Sequence, residues 1–344
     1  MVERILPPEW AAQQATVLVW PRRDGDWGSG LAAARDAIAE LAATLCCYQS
    51  VILAAADAEC AQAIAAHDRL AGLTRLTVLD VPNDDIWARD TGPITVFDDG
   101  RRHFLDFRFD GWGGQFEASR DDAFTAALHA TGALGAGLIE RHEITLEGGS
   151  IESNGAGALL TTERCLLQGR RNADFDRVRA AAALASALGV QTVHWLTEGD
   201  LIGDDTDGHI DTLARFVAAD TIAYQGCRDE TDAHHAALAA MAQELAALRD
   251  TSGQRYRLVE LPLPAPVYDP DDGHRLPAGY ANFLIANGCV VMPAFDDPAD
   301  DTARDIIAEL FPDREIRAVD SRALIRQHGG LHCAAMQIPA ELSR

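Results

Sequence analysis

The chain has no lysine: all 29 basic residues among its 344 are arginine. That removes the phosphate-gripping lysine of a nucleotide-hydrolase loop and the Schiff-base lysine of pyridoxal chemistry. Positive charge is scarce altogether, and 53 acidic side chains leave a formal net charge of −24. Such a field repels phosphate backbones and anionic lipid, and no arginine cluster is dense enough to reverse it locally. Neither nucleic acid nor a membrane is therefore an expected partner, whereas a small cation is favoured. No apolar run approaches the ~18 residues a membrane-spanning helix needs. Near its start the chain carries Pro7, Pro8 and Glu9 in place of a basic stretch and an apolar core. No signal peptide is expected, and the chain reads as cytoplasmic. A disulfide framework is lacking too: seven cysteines, an odd number with no CxxC pair, fit free thiols in a reducing compartment. Six read as packing residues; Cys333 stands apart.

What is present is globular. Apolar residues make up 48% and charged residues 24%, and the length suits one large domain or two ordinary ones. Strand-like runs, rich in Val, Ile, Thr and aromatics, are predicted at 16–20, 50–55, 76–81, 93–97, 103–109, 158–167 and 192–196. Further runs fall at 213–217, 221–225, 256–261, 283–286, 289–293 and 316–319. Helical periodicity predicts helices over 31–48, 58–67, 120–131, 174–188, 231–248 and 301–311. Leu238, Met241, Leu245 and Leu248 form a stripe that reads as core. Asn287-Gly288 predicts a type I′ hairpin, and 218–220 a second tight turn. The proline-rich 262–277 reads as a long surface loop, of a length that is often functional.

Polar, glycine-bearing clusters punctuate this pattern. They are 84–93, 146–150, 203–211, 280–283 and 328–333. From Asp90 the steps to Glu147, His209, Asn282 and Cys333 are 57, 62, 73 and 51 residues. Five modules of mixed α/β type, each offering one cluster, would converge on a central axis.

Cys333 follows Gly329-Gly330-Leu331-His332, a flexible approach that lets backbone and ligand come close. Taken alone it reads as a buried structural cysteine. As a nucleophile it needs an acid–base partner from elsewhere in the chain, and His209 is the best candidate. His332 is weaker, because neighbours in a strand face opposite ways. His209 and Asp211 share a face if their segment is extended, which suits either a metal or a substrate-binding pair. Asp90 alone reads as a turn residue or a partner for Arg89.

Together, Trp87-Ala88-Arg89-Asp90-Thr91-Gly92-Pro93, Leu146-Glu147-Gly148-Gly149-Ser150, Asp207-Gly208-His209-Ile210-Asp211 and Gly329-Gly330-Leu331-His332-Cys333 resemble the agmatine deiminase and bacterial peptidylarginine deiminase family. This belongs to the guanidine-modifying pentein superfamily. The likeness runs from Pro7-Pro8-Glu9-Trp10 to Gln337-Ile338-Pro339. It implies an α/β-propeller of five ββαβ-type modules about a pseudo-fivefold axis, as one catalytic domain over 1–344. Cys333 then matches the nucleophile, His209 the general acid/base, Asp90 and Asp211 the guanidinium-binding carboxylates, and Glu147 an acid that orients or pairs with the histidine. Trp87, Trp112 and Asn282 match pocket positions. The implied reaction is hydrolysis of agmatine to N-carbamoylputrescine and ammonia through a covalent cysteine thiouronium, a step of putrescine and polyamine metabolism. It implies no metal and no cofactor, and leaves a homo-oligomer open.

The substrate's tail is a separate question. Phe109-Asp110-Gly111-Trp112-Gly113-Gly114 resembles the Trp-Gly-Gly turn of agmatine deiminases. Agmatine carries an amine where arginine carries a carboxylate, so Asp204, Asp205 and Trp112 are candidates to meet it. A peptidylarginine or arginine deiminase would instead need an arginine for the carboxylate. Arg108 lies in a strand pattern, and Arg101-Arg102 read as a solvated turn. Members of the family usually carry Gly-Gly-Gly-x-Ile-His-Cys at the nucleophile; Gln327-His328-Gly329-Gly330-Leu331-His332-Cys333 has fewer glycines, so the loop's shape is open. A metal-dependent hydrolase using His209 and Asp211 is a further reading, and a non-catalytic binding module another.

Overall fold

The computed structural model describes residues 4–341. Its strands form five small sheets, and one plan repeats: an antiparallel pair, then a helix, then a third strand parallel to the second. Ile94–Asp98 pairs antiparallel with Arg101–Arg108, helix Phe124–Ala130 follows, and Leu138–Thr145 returns parallel. Ile151–Ser153, Ala158–Thr162, helix Arg177–Leu188 and Thr192–Leu196 repeat it. So do Ala214–Ala218, Thr221–Gln225, helix His235–Ala247 and Arg257–Leu261. The fourth unit is Leu284–Ala286, Cys289–Ala294, helix Ala299–Leu310 and Glu315–Asp320.

The fifth unit is assembled from both ends of the chain. Ala335–Pro339 pairs antiparallel with Gln13–Val19, helix Leu31–Cys46 follows, and Ser50–Ala55 and Leu76–Asp80 add in parallel. A short strand Arg4–Ile5 also joins the sheet of Ile94–Asp98. The five-module expectation is met, and the helices carry the small-residue stripes that let them lie on these sheets. Leu238, Met241 and Leu245 are buried, with Leu248 packed at their edge.

Several local expectations are corrected. The run 158–167 is not one strand: Thr162 Oγ1 accepts the Cys165 N–H and starts a helical turn at Glu163–Leu166. Asn287-Gly288 does close a hairpin, but only Gly288 takes a positive φ, so the turn is not type I′. Asn287 is instead tied to Gln13, accepting its N–H at 3.0 Å and donating to its carbonyl at 2.7 Å. A hairpin turn that does have two positive φ values is Asp99-Gly100, at +50° and +73°. Arg102 is no solvated turn residue; it is buried in a strand, bonded to the carbonyls of Leu134, Ala136 and Pro339. The strand Leu138–Thr145 was missed because its side chains are largely exposed and charged. No helix among the described residues is long and apolar enough to cross a membrane.

Candidate active site

Each polar cluster occupies the same place in its module, the segment leading into the first strand of the antiparallel pair. Asp90 lies in the turn Ala88–Thr91 before Ile94–Asp98, and Glu147 caps Gly148–Ser150 before Ile151–Ser153. His209 caps Ile210–Thr212 before Ala214–Ala218. Asn282 precedes Leu284–Ala286, and Cys333 precedes Ala335–Pro339. His209 to Asp211 is thus a helical turn, not extended chain, and both side chains reach the centre because the turn is tight. Gly149 marks how tight the centre is. A Cβ there would sit 2.6 Å from His209 Nδ1, 2.8 Å from Asp90 Oδ1 and 3.2 Å from Asp211 Oδ2.

Asn282 brackets the cysteine. Its Nδ2 donates to Cys333 Sγ at 3.3 Å and its Oδ1 accepts the His332 N–H at 2.9 Å. Cys333 Sγ lies 3.6 Å from Asp211 Oδ2. Burial, then the charges of Asp211 and Asp90, push the thiol well above its ordinary value, so the free protein holds it protonated. Asp90 accepts Trp112 Nε1–H at 3.1 Å on one oxygen and the Gly149 N–H at 2.9 Å on the other. It does not pair with Arg89, which is drawn away to Gln337 and Glu9. Trp112 holds a left-handed backbone, φ +56°, unusual for a bulky residue. Asp110 Oδ1 secures that turn by accepting the Gly113 N–H at 2.7 Å.

His209 is fully buried, with Nδ1 3.7 Å from Asp90 Oδ1. Burial opposes its charge, but the ring of Asp90, Cys165 and Glu147 outweighs this and raises its pKa well above the ordinary range. Cys165 was read as packing; it lies instead against His209 and Glu147, with ligand atoms of all three within 4.8 Å. Glu147 also accepts Arg171 Nε at 2.6 Å. A cation there would meet Arg171 at close range, and Asp211 stands outside the group, which weakens the metal reading.

A pocket of about 260 Å³ opens onto Cys333. Trp87, Trp112, Phe116 and Asp90 wall it, with Asp26, Asp85 and Asp205 and, among the described residues, no arginine. Of the Asp204-Asp205 pair, only Asp205 faces the pocket. Asp204 shapes its loop, accepting Thr206 Oγ1 at 2.6 Å and the Gly208 N–H at 2.7 Å. Burial raises Asp85 to about 7 and Asp205 to about 6. Asp85 stood in a motif already singled out, but nothing in the sequence marked Asp26. Neither Asn282 nor any residue of the 262–277 loop lines this pocket, and Arg108 is exposed in its strand.

A family of Porphyromonas-type peptidyl-arginine deiminases matches residues 5–339. An agmatine deiminase of Pseudomonas putida is 34% identical, covering 98% of this chain and 96% of that protein. The structure of a Campylobacter jejuni agmatine deiminase with substrate bound superposes with a TM-score of 0.91 at 32% identity, covering 99% of this chain and 98% of that one. A Porphyromonas gingivalis structure with an inferred arginine deiminase activity gives 0.91 at 42% identity, over 99% and 100% of the two chains.

Proposed function

The chain belongs to the Porphyromonas-type peptidyl-arginine deiminase family, and from that premise we propose that it is an agmatine deiminase, hydrolysing agmatine to N-carbamoylputrescine and ammonia. The observation that carries the substrate reading is the pocket onto Cys333, with Asp26, Asp85, Asp90 and Asp205 in its walls and, among the described residues, no arginine. A dication with a guanidinium at one end and an ammonium at the other matches that lining. Free arginine or a peptide would bring a carboxylate or a bulky backbone against the same acids.

The guanidinium lies between Asp90 and Asp211, which accept its edge N–H groups and fix its plane. Its charge offsets the two carboxylates that keep Cys333 protonated, so the thiol loses its proton to solvent when substrate binds. The thiolate attacks the guanidinium carbon and an S–C bond forms. His209, an imidazolium under the pull of Asp90 and Glu147, gives its proton to the departing nitrogen; the C–N bond breaks and ammonia leaves. Neutral His209 then takes a proton from water. The hydroxide attacks the thiouronium carbon; the C–S bond breaks with its electron pair on Sγ, the thiolate takes up the proton of the added hydroxyl, and the ureido product departs. Asn282 holds the cysteine loop throughout and has no direct part in tail recognition.

The catalytic unit is the whole chain, 1–344, as one domain, and its setting is cytoplasmic. The test is ureido-product formation from agmatine, free arginine and a blocked arginine peptide, with Cys333→Ala alongside. Agmatine should be turned over alone, and the variant should lose at least about a thousandfold in rate. Peptide or arginine turnover would overturn the substrate reading; an active variant would overturn the nucleophile.

A further inference from the structure

Behind the nucleophile lies a chain of buried charge that the proposed reaction does not use. His332 Nδ1 is 2.7 Å from Asp211 Oδ2, and its Nε2 is 2.7 Å from Glu9 Oε2. A neutral imidazole has one N–H and could serve only one of two carboxylates; a ring between two needs both protons. Glu9 is itself held by Arg215 Nη2 at 2.6 Å on Oε2 and by the Ile285 N–H at 2.6 Å on Oε1. The backbone that carries the ring is held on both sides: the His332 main-chain N–H donates to Asn282 Oδ1 and its carbonyl accepts from Arg89 Nε. All these side chains are buried.

We propose that Glu9 and His332 form a relay that fixes Asp211 as an ionised, oriented carboxylate beside Cys333, making both positioning residues for the reaction. The proposal rests on the reading of Asp211 as a guanidinium-binding group. Asp211 is faced by His332, His209, Arg215, Asp90 and Cys333. Burial works against its ionisation, yet His332 first, then His209 and Arg215, hold its pKa below the ordinary carboxylate range. Glu9 in turn is faced by Arg215, His332, Arg89 and Glu152. Arg215, His332 and Arg89 keep it ionised in spite of burial and of the Glu152 carboxylate nearby. Glu9 is thus the partner of the ring's Nε2, on the side away from Asp211. Glu152 shares Arg215 at 2.9 Å but makes no hydrogen bond to His332.

Two measurements test this. Histidine-selective ¹⁵N NMR of the unmodified protein reads whether the His332 ring carries protons on both nitrogens near pH 7; a singly protonated, neutral ring overturns the relay whatever the substrate. The pH profile of kcat/KM for an alkylguanidine with no second charge, which does not call on Asp85 or Asp205, is then compared among the wild type, Glu9→Gln, His332→Asn and Glu152→Gln. Losing Glu9 or His332 lets Asp211 take a proton at higher pH. The acid limb should move up by about one unit, with kcat/KM down about tenfold on that limb. Glu152→Gln should lower thermal stability and leave the limb in place. An unmoved limb in Glu9→Gln, or the same shift in Glu152→Gln, overturns the positioning role. A doubly protonated ring in a protein that ignores agmatine would instead overturn the substrate reading and leave the relay standing.

Discussion

A buried thiol beside two carboxylates is a poor nucleophile until something positive arrives. Cys333 is in that position, and two acids of the pocket above it, Asp85 and Asp205, titrate near neutrality. Asp85 at about 7 and Asp205 at about 6 are raised chiefly by burial. In the free protein both are substantially protonated at pH 5 and ionised at pH 8. The ammonium end of agmatine therefore gains its partners as pH rises through that interval. KM for agmatine is expected to fall by about tenfold between pH 5 and 8, against a much smaller change for an alkylguanidine with no second charge. Steady-state kinetics over that range checks it; parallel KM profiles for the two would remove these carboxylates from tail binding.

The elements that carry the site are short turns, each leading into a strand, and their glycines decide how closely the five can approach. Gly149→Ala would push a methyl group against His209 Nδ1 and Asp90 Oδ1, at 2.6 and 2.8 Å, both side chains fixed by burial. Activity should fall at least about a hundredfold through misplacement of these groups. Circular dichroism should show the fold retained. Near-normal activity would mean the site can yield there. Cys333, His209, Asp90, Asp211 and Glu147 were legible because each sits in a compact polar cluster with its own glycine. Asp26 was not, because it belongs to no cluster and reaches the pocket only through the path of its loop. Cys165 was misread for a related reason: its sequence neighbours are those of a packing residue, and its contact with His209 joins different modules. Leu138–Thr145 escaped notice because an exposed, charged edge strand lacks the alternation that marks a half-buried one.

At the scale of the molecule, modules are joined by hydrogen bonds and charge as well as by apolar packing. Arg215, fully buried, donates to Glu9, Glu152 and the Phe283 carbonyl, joining the start of the chain to three modules. Arg215→Met would take the bonded guanidinium from two buried carboxylates, Glu9 and Glu152, and should cost about 3–5 kcal/mol of stability. Thermal or denaturant unfolding measures this, and a loss below about 1 kcal/mol would mean the network relaxes around the change. The ring is completed by the last strand, Ala335–Pro339, pairing with Gln13–Val19. Cys333 lies in the turn two residues before that strand, so it is set in place only when these two distant segments have met.

The sequence by itself determined the mixed α/β pattern, the five spaced clusters and the polar residue types they carry. These depend on local periodicity and on chemistry that only certain side chains can perform. The tertiary structure alone decided which acids line the pocket, that Asn282 serves the cysteine loop, and that His332 turns from the pocket towards Glu9. Those outcomes hang on distances between residues up to hundreds of positions apart, and on burial that shifts each group's charge. No local stretch of sequence carries either.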